Sequence, residues 1–137
     1  MAKMTADERD RFGKRYAASG AEASLAVEAE ALGSDFQANG YTTIDQAEAL
    51  GALLELRPGQ VLLDIGAGCG WPGLHLANRH GCAVVSLDPV AEGISVAARR
   101  ALADGIADRG WAIRANADPL PLRPGSVDAV IHTDLLC

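Results

Sequence analysis

The chain predicts an α/β domain: a parallel sheet of about four strands with helices on both faces, preceded by a helical extension. Three observations predict it. Short apolar runs recur at 61–65, 83–89, 111–116 and 127–131. Stretches with helical spacing of apolar residues separate them. A glycine turn follows the first run, as it does where a buried parallel strand feeds a helix.

The totals agree. The chain has 137 residues, 49% of them hydrophobic, enough for one domain with its own core. The formal net charge is −6, and no basic stripe is visible, so the pattern disfavours a nucleic-acid partner. No apolar run is long enough to span a bilayer, and residues 1–8 do not form a signal peptide. Cys69, Cys82 and Cys137 show neither metal-type nor redox-type spacing. They read as reduced thiols of a cytoplasmic protein.

Residues 1–40 form the expected extension. Thr5-x-x-Glu8 is a capping-box pattern. Residues 9–33, rich in Ala, Glu and Leu, read as helix with a break at Ser19-Gly20. This segment is either a lid over the site or an amphipathic helix that only packs. Asn39-Gly40 is a turn signal in the connector at 34–40. A second capping box, Thr43-x-x-Gln46, opens a helix whose expected buried face is Ala47, Leu50, Leu53 and Leu54. Arg57-Pro58-Gly59-Gln60 turns the chain into the first strand, 61–65.

The next helix is expected from Pro72, at its first position, to His80, with Gly81 as its C-cap. His75 and His80 are five apart, so they leave the helix in different directions and do not form a metal site with Cys82. Residues 83–89 are the second strand. A helix over 91–103 should pack through Ile94, Ala97, Ala98 and Leu102, with Arg99 and Arg100 in solvent. Residues 111–116 are the third strand. Pro124-Gly125 is a turn, and 127–131 is the fourth strand.

The stretch Asp64-Ile65-Gly66-Ala67-Gly68-Cys69-Gly70-Trp71-Pro72-Gly73 carries the chemistry. Its last six residues fit G-x-G-x-x-G, a dinucleotide pattern that is weak alone. Its first seven, Asp-x-Gly-x-Gly-x-Gly, resemble the first motif of the class I S-adenosylmethionine (SAM) dependent methyltransferases. A pyrophosphate wants free N–H groups at a helix start and no anion nearby. Here a carboxylate precedes the turn and a proline lies within it. SAM has no phosphate; its sulfonium, amino-acid end and ribose diol suit carboxylates and carbonyls.

The resemblance spans roughly residues 41–134 and implies a Rossmann-like sheet with strand order 3-2-1-4. It implies SAM as cofactor, held by Asp64, Gly66, Ala67, Gly68 and Gly70. Asp88, at the end of the second strand, would take the ribose hydroxyls, with Pro89 and Val90 beside the adenine. As a bare residue Asp88 also reads as a helix cap. Ala117 and Asp118 match the position that meets the adenine amino group; alone, Asp118-Pro119 reads as a turn. Leu120-Pro121 to Gly125-Ser126-Val127-Asp128 resembles a later motif of the family. His132 falls at the end of the fourth strand, where it is a candidate cofactor contact and general base. Tyr41 and Thr42 are candidate substrate or lid contacts.

The implied function is methyl transfer to a small-molecule acceptor. The rivals are a NAD(P)-binding oxidoreductase, a SAM-binding module without turnover and an inactive remnant that binds no ligand. The family's sheet normally has seven strands. A chain ending after the fourth is therefore expected to be a fragment or a truncation. Its fourth strand would be an apolar edge open to pairing with a second copy or another chain.

Overall fold

Apolar alternation and end-of-element signals produce nine elements among the described residues, 3–134 of the computed structural model. They are α1 (Ala6–Ala18), α2 (Glu22–Leu32), α3 (Ile44–Leu53), β1 (Val61–Ile65), α4 (Gly73–His80), β2 (Ala83–Asp88), α5 (Ala91–Ala103), β3 (Gly110–Arg114) and β4 (Ala129–Ile131). The sheet is parallel throughout, in the order β3-β2-β1-β4. Asp64 lies opposite Ser86 and Ile131, and Asp88 opposite Arg114. The expected strand order is thus the observed one. Cys69 and Cys82 are free thiols, and Cys137 lies outside the described residues.

Both capping boxes form. The Thr5 hydroxyl accepts from the Glu8 backbone at the start of α1, and the Thr43 hydroxyl accepts from the Gln46 backbone at the start of α3. Ser19 and Gly20 break the N-terminal helix in two, as expected. Gly81 ends α4 at φ 72°, the left-handed conformation that glycine adopts without a Cβ clash. Pro72 sits one residue before the expected place, as the N-cap of α4 rather than its first residue.

The two faces of the sheet are covered differently. Leu62 and Val84 point to the side of α4 and α5, where they pack with Leu74, Leu76, Ala97, Ala101 and Ile106. Leu63, Val85 and Leu87 point the other way, against Ile65, Ile113, Ala117, Leu122 and Val127. That second cluster holds no residue of a helix. The expectation of helices on both faces is therefore met on one face among the described residues. The crossover from β3 to β4 carries Pro119, Pro121 and Pro124, which lack the N–H groups a helix needs.

Two buried faces differ from expectation. In α5 the inward residues are Gly93, Ala97 and Ala101, while Leu102 is 71% exposed. Spacing of four puts these small side chains in one row, and their size lets the helix lie close to the sheet. In α3 the inward residues are Ala47 and Gly51, and Leu53 is 80% exposed. The guanidinium of Arg100 is not free in solvent: it lies 4.0 Å from the ring centroid of Phe36 and donates to the Asp35 carbonyl at 3.2 Å. Among the described residues β4 bonds to β1 on one side and is an edge of the sheet, with Val130 half-exposed. No helix among the described residues is long and apolar enough to cross a membrane.

Candidate functional site

The site is built where β1 and β2 end side by side. Alternation along both strands sends Asp64 and Asp88 to the helix-covered face, and both are buried, at 1% and 3% exposure. β1 runs straight into the glycine turn. Gly66 and Ala67 donate their N–H groups to the Leu87 carbonyl at 2.8 and 3.1 Å, which locks the turn against the neighbouring strand. Gly66, Gly68 and Gly70 all have positive φ, so the turn needs glycine at each.

The two carboxylates hold this turn from both ends. Asp64 Oδ2 accepts the Gly73 N–H at 3.0 Å, at the start of α4. Asp88 Oδ2 accepts the Gly68 N–H at 2.9 Å, and Asp88 Oδ1 accepts the Val90 N–H at 2.8 Å. Asp88 is thus bonded to the turn as well as to the approach of α5, while the N-cap residue of α5 is Val90. Burial pushes the Asp64 carboxyl up to about 8; the Gly73 N–H opposes the rise and the Asp88 charge adds to it. Burial also raises Asp88, against the two N–H bonds it receives.

This arrangement bears on which cofactor fits. A pyrophosphate needs the first N–H groups of the helix after the turn. Here the Gly73 N–H is already taken by Asp64, and Pro72 has none. A second anion would also sit beside two buried carboxyls. The same carboxyls, with a turn the ligand can approach closely, suit a cofactor that brings hydroxyls and a positive charge.

The other expected site residues fall around the same edge. Pro89 follows Asp88, and its carbonyl accepts from Arg114 Nε at 3.3 Å. Ala117 and Asp118 lie just past β3; Ala117 packs in the second cluster and Asp118 is exposed. His132 is exposed just past β4, on the other side of β1 from Asp118. Thr42 is buried, and its hydroxyl donates to Asp134 Oδ2 at 3.0 Å. Tyr41 is 77% exposed. It lines a cavity of about 670 Å³ with Arg15, Ser19, Val27, Glu28 and Leu32, between α1 and α2.

Several residues at the site were given no role by the sequence motifs. Trp71 is buried; its Nε1–H donates to the Thr42 carbonyl at 2.9 Å, and its ring packs on Phe36 and His75. His75 in turn meets Glu48, Nε2 to Oε1 at 2.6 Å, so it is not a free helix-surface residue. Ser19 Oγ lies 3.8 Å and Asn39 Nδ2 3.7 Å from Cys69 Sγ within the turn. Tyr16 of α1 lies on Gly68. The one sequence signal for Tyr16 is Phe12 four residues earlier, a pair that fixes an aromatic side of α1.

A family model described as a methyltransferase domain matches residues 62–137. Among solved structures, the chain is similar to a SAM-dependent methyltransferase from Thiobacillus denitrificans in complex with S-adenosyl-L-homocysteine. The identity is 30% and the TM-score 0.59, over 66% of this chain and 36% of that one. It is also similar to geranyl diphosphate C-methyltransferase from Streptomyces coelicolor A3(2), at 28% identity and TM-score 0.60, over 64% of this chain and 33% of that one. An RNA methyltransferase from Salinibacter ruber shares the fold at 20% identity and TM-score 0.61, over 66% of this chain and 58% of that one. The chain therefore spans about a third of the length of the first two and little more than half of the third. With the glycine turn, its two carboxylates and the 3-2-1-4 sheet all inside the matched region, the chain belongs to the methyltransferase-domain family.

Proposed function

We propose that the chain binds SAM over the glycine turn and takes part in transferring its methyl group to a small-molecule acceptor. The observation that carries this reading is the pair of buried carboxylates around the turn, one of which closes the helix start to phosphate. The structures from Thiobacillus and Streptomyces, each bound to S-adenosyl-L-homocysteine, support it.

When bound, SAM supplies a methyl group on an already activated sulfonium. The residues of the chain bind and orient. Each oxygen of Asp88 accepts one backbone N–H and keeps a second lone pair for a ribose hydroxyl. Gly66, Ala67, Gly68 and Gly70 present main chain that a ligand can approach closely. Asp64 holds the turn and the start of α4 in register beside the ligand's amino-acid end. Pro89, Ala117 and Asp118 border the adenine end. Holding donor and acceptor in line and excluding water supplies most of the rate. His132 takes the proton when the acceptor is a hydroxyl or a C–H acid.

The acceptor's seat in this reading is the cavity between α1 and α2, which Tyr41 lines; Thr42 lies in the adjoining groove with Asp134, past β4. Its walls are mostly small and apolar, Ala18, Ala23, Val27, Ala31 and Leu32 among them. The net charge of −6 favours a small molecule over nucleic acid. Residues 1–40 then form a cover for the site, and 41–137 the cofactor-binding part. Among the described residues β4 has no strand on its outer side, and its half-exposed Val130 supports pairing there with another strand, from a second copy or another chain. A monodisperse monomer in sedimentation would count against that pairing.

Calorimetric titration with S-adenosylhomocysteine, NAD and NADP in parallel tests the cofactor. Binding of the first alone is expected. Binding of a nicotinamide nucleotide in its place would overturn the reading, and SAM binding without transfer to any acceptor would reduce the chain to a cofactor-binding module.

A further inference from the structure

One side chain of α1, Tyr16, lies over the glycine turn. Gly68 has φ +53°, and its missing Cβ points at the ring of Tyr16: a methyl built there lies 3.1 Å from the phenol oxygen and 3.2 Å from Cζ. The same ring lies 2.9 Å from the Cβ position of Gly93, on the first turn of α5. Gly93 in turn packs on the main chain of the turn, its Cβ position 2.7 Å from the Gly68 carbonyl oxygen. Tyr16 therefore lies over the seam between the turn and α5. Asp88 lies at that seam, 3% exposed.

Ligands of open parallel sheets bind in the crevice beyond the carboxyl ends of the strands. Gly68 and Asp88 line that crevice here, and Tyr16 fills the space in front of both. We propose that Tyr16 stands in the place of the cofactor's sugar, so that α1 is a displaceable cover and the ligand and Tyr16 exclude each other. This rests on the SAM reading above.

The attachment of α1 fits such a role. Gly13 is its one buried residue, set against the Glu92 side chain. Beyond Tyr16, it packs along α5, Ser19 Oγ donates to Gln37 Oε1 at 3.0 Å and touches the Cys69 sulfur, and Arg15 Nη2 donates to the Asn39 carbonyl at 2.6 Å. A surface helix with one buried residue opens at lower cost than α4 and α5, which carry the core. A ligand that needs the open form binds with its affinity reduced by the fraction of molecules open.

The test compares the full chain with Tyr16→Ala by calorimetric titration with S-adenosylhomocysteine. Tyr16→Ala is expected to bind about tenfold more tightly, because the closed form loses its plug. On the unaltered protein, hydrogen exchange of the α1 amides should quicken when S-adenosylhomocysteine is added. Equal or weaker binding by a folded Tyr16→Ala overturns the inference alone, as does slower exchange in α1 on binding. If Tyr16→Ala does not fold, the exchange measurement decides. No binding by either protein overturns the SAM reading itself, and this inference with it.

Discussion

The carboxylate of Asp88 accepts the Gly68 N–H at 2.9 Å and so ties the end of β2 to the turn that follows β1. Its other oxygen holds the Val90 N–H. Asp88→Ala strands two donors at a buried position, each costing about 1–3 kcal/mol. The variant should lose roughly 2–6 kcal/mol in urea denaturation. Asp88→Asn keeps one acceptor oxygen and should recover part of that loss. Its affinity for S-adenosylhomocysteine should stay at least about tenfold below the parent's, since an amide replaces one acceptor of the ribose diol by a donor. Unchanged affinity in a folded Asp88→Asn would remove Asp88 from the sugar.

Asp64 makes stability depend on pH. Burial raises its pKa from 3.8 to about 8. Between those values the native chain holds a proton that the unfolded chain has lost. Its contribution to stability is therefore full below pH 4 and lost as the pH rises through 8. Each tenfold change in proton affinity is about 1.4 kcal/mol, so the fall is on the order of several kcal/mol. Urea midpoints should drop from pH 5 to pH 9, and Asp64→Asn should remove most of the slope. An equal slope in the parent and the variant would show that Asp64 is ionised in the fold; the smaller slope expected to remain belongs to Asp88, which burial also raises.

Gly93→Ala separates steric fit from helix propensity. Alanine in a helix interior ordinarily gains up to about 1 kcal/mol over glycine. Here the new Cβ would lie 2.7 Å from the Gly68 carbonyl oxygen, a backbone atom that cannot rotate away. The variant should lose roughly 1–3 kcal/mol and weaken ligand binding, because the turn must shift. A stabilised Gly93→Ala would mean that α5 stands further from the turn.

Trp71→Phe keeps most of the ring packing on Phe36 and His75 but removes the N–H that serves the Thr42 carbonyl. An acceptor left without its donor costs about 1–3 kcal/mol. Loss in that range is expected from urea denaturation followed by circular dichroism. The connector before α3 should also become more open to proteolysis. No change in either would show that the indole bond is replaced by water.

The strands, the glycine turn and the two capping boxes were legible in the sequence because each is a local property, whereas the strand order came from the resemblance to the methyltransferases. A capping box needs Thr43 and Gln46 alone. A turn with repeated positive φ needs Gly66, Gly68 and Gly70 in place. Alternation along β1 decides which residues share a face, and it put Asp64 and Leu62 together whatever packed on them. The Asp residues at the ends of β1 and β2 were legible for the same reason, since strand ends in a parallel sheet lie side by side.

The rest depended on how helices dock, which no local window contains. Ala97 was legible as a buried residue of α5, but the choice of Gly93 and Ala101 over Ala98 and Leu102 beside it follows from how near that helix comes to β2 and β3. Size in the sequence favoured leucine, but closeness in space favoured alanine and glycine. Tyr16 on Gly68, Arg100 on Phe36 and the Trp71 indole on the Thr42 carbonyl join segments far apart in the chain. The sequence by itself determined where a ligand can sit, through backbone conformations available only to glycine and carboxylates fixed at strand ends. Only the tertiary structure decided what covers that place, because the position of α1 is the sum of many weak contacts, none of which has a local signature.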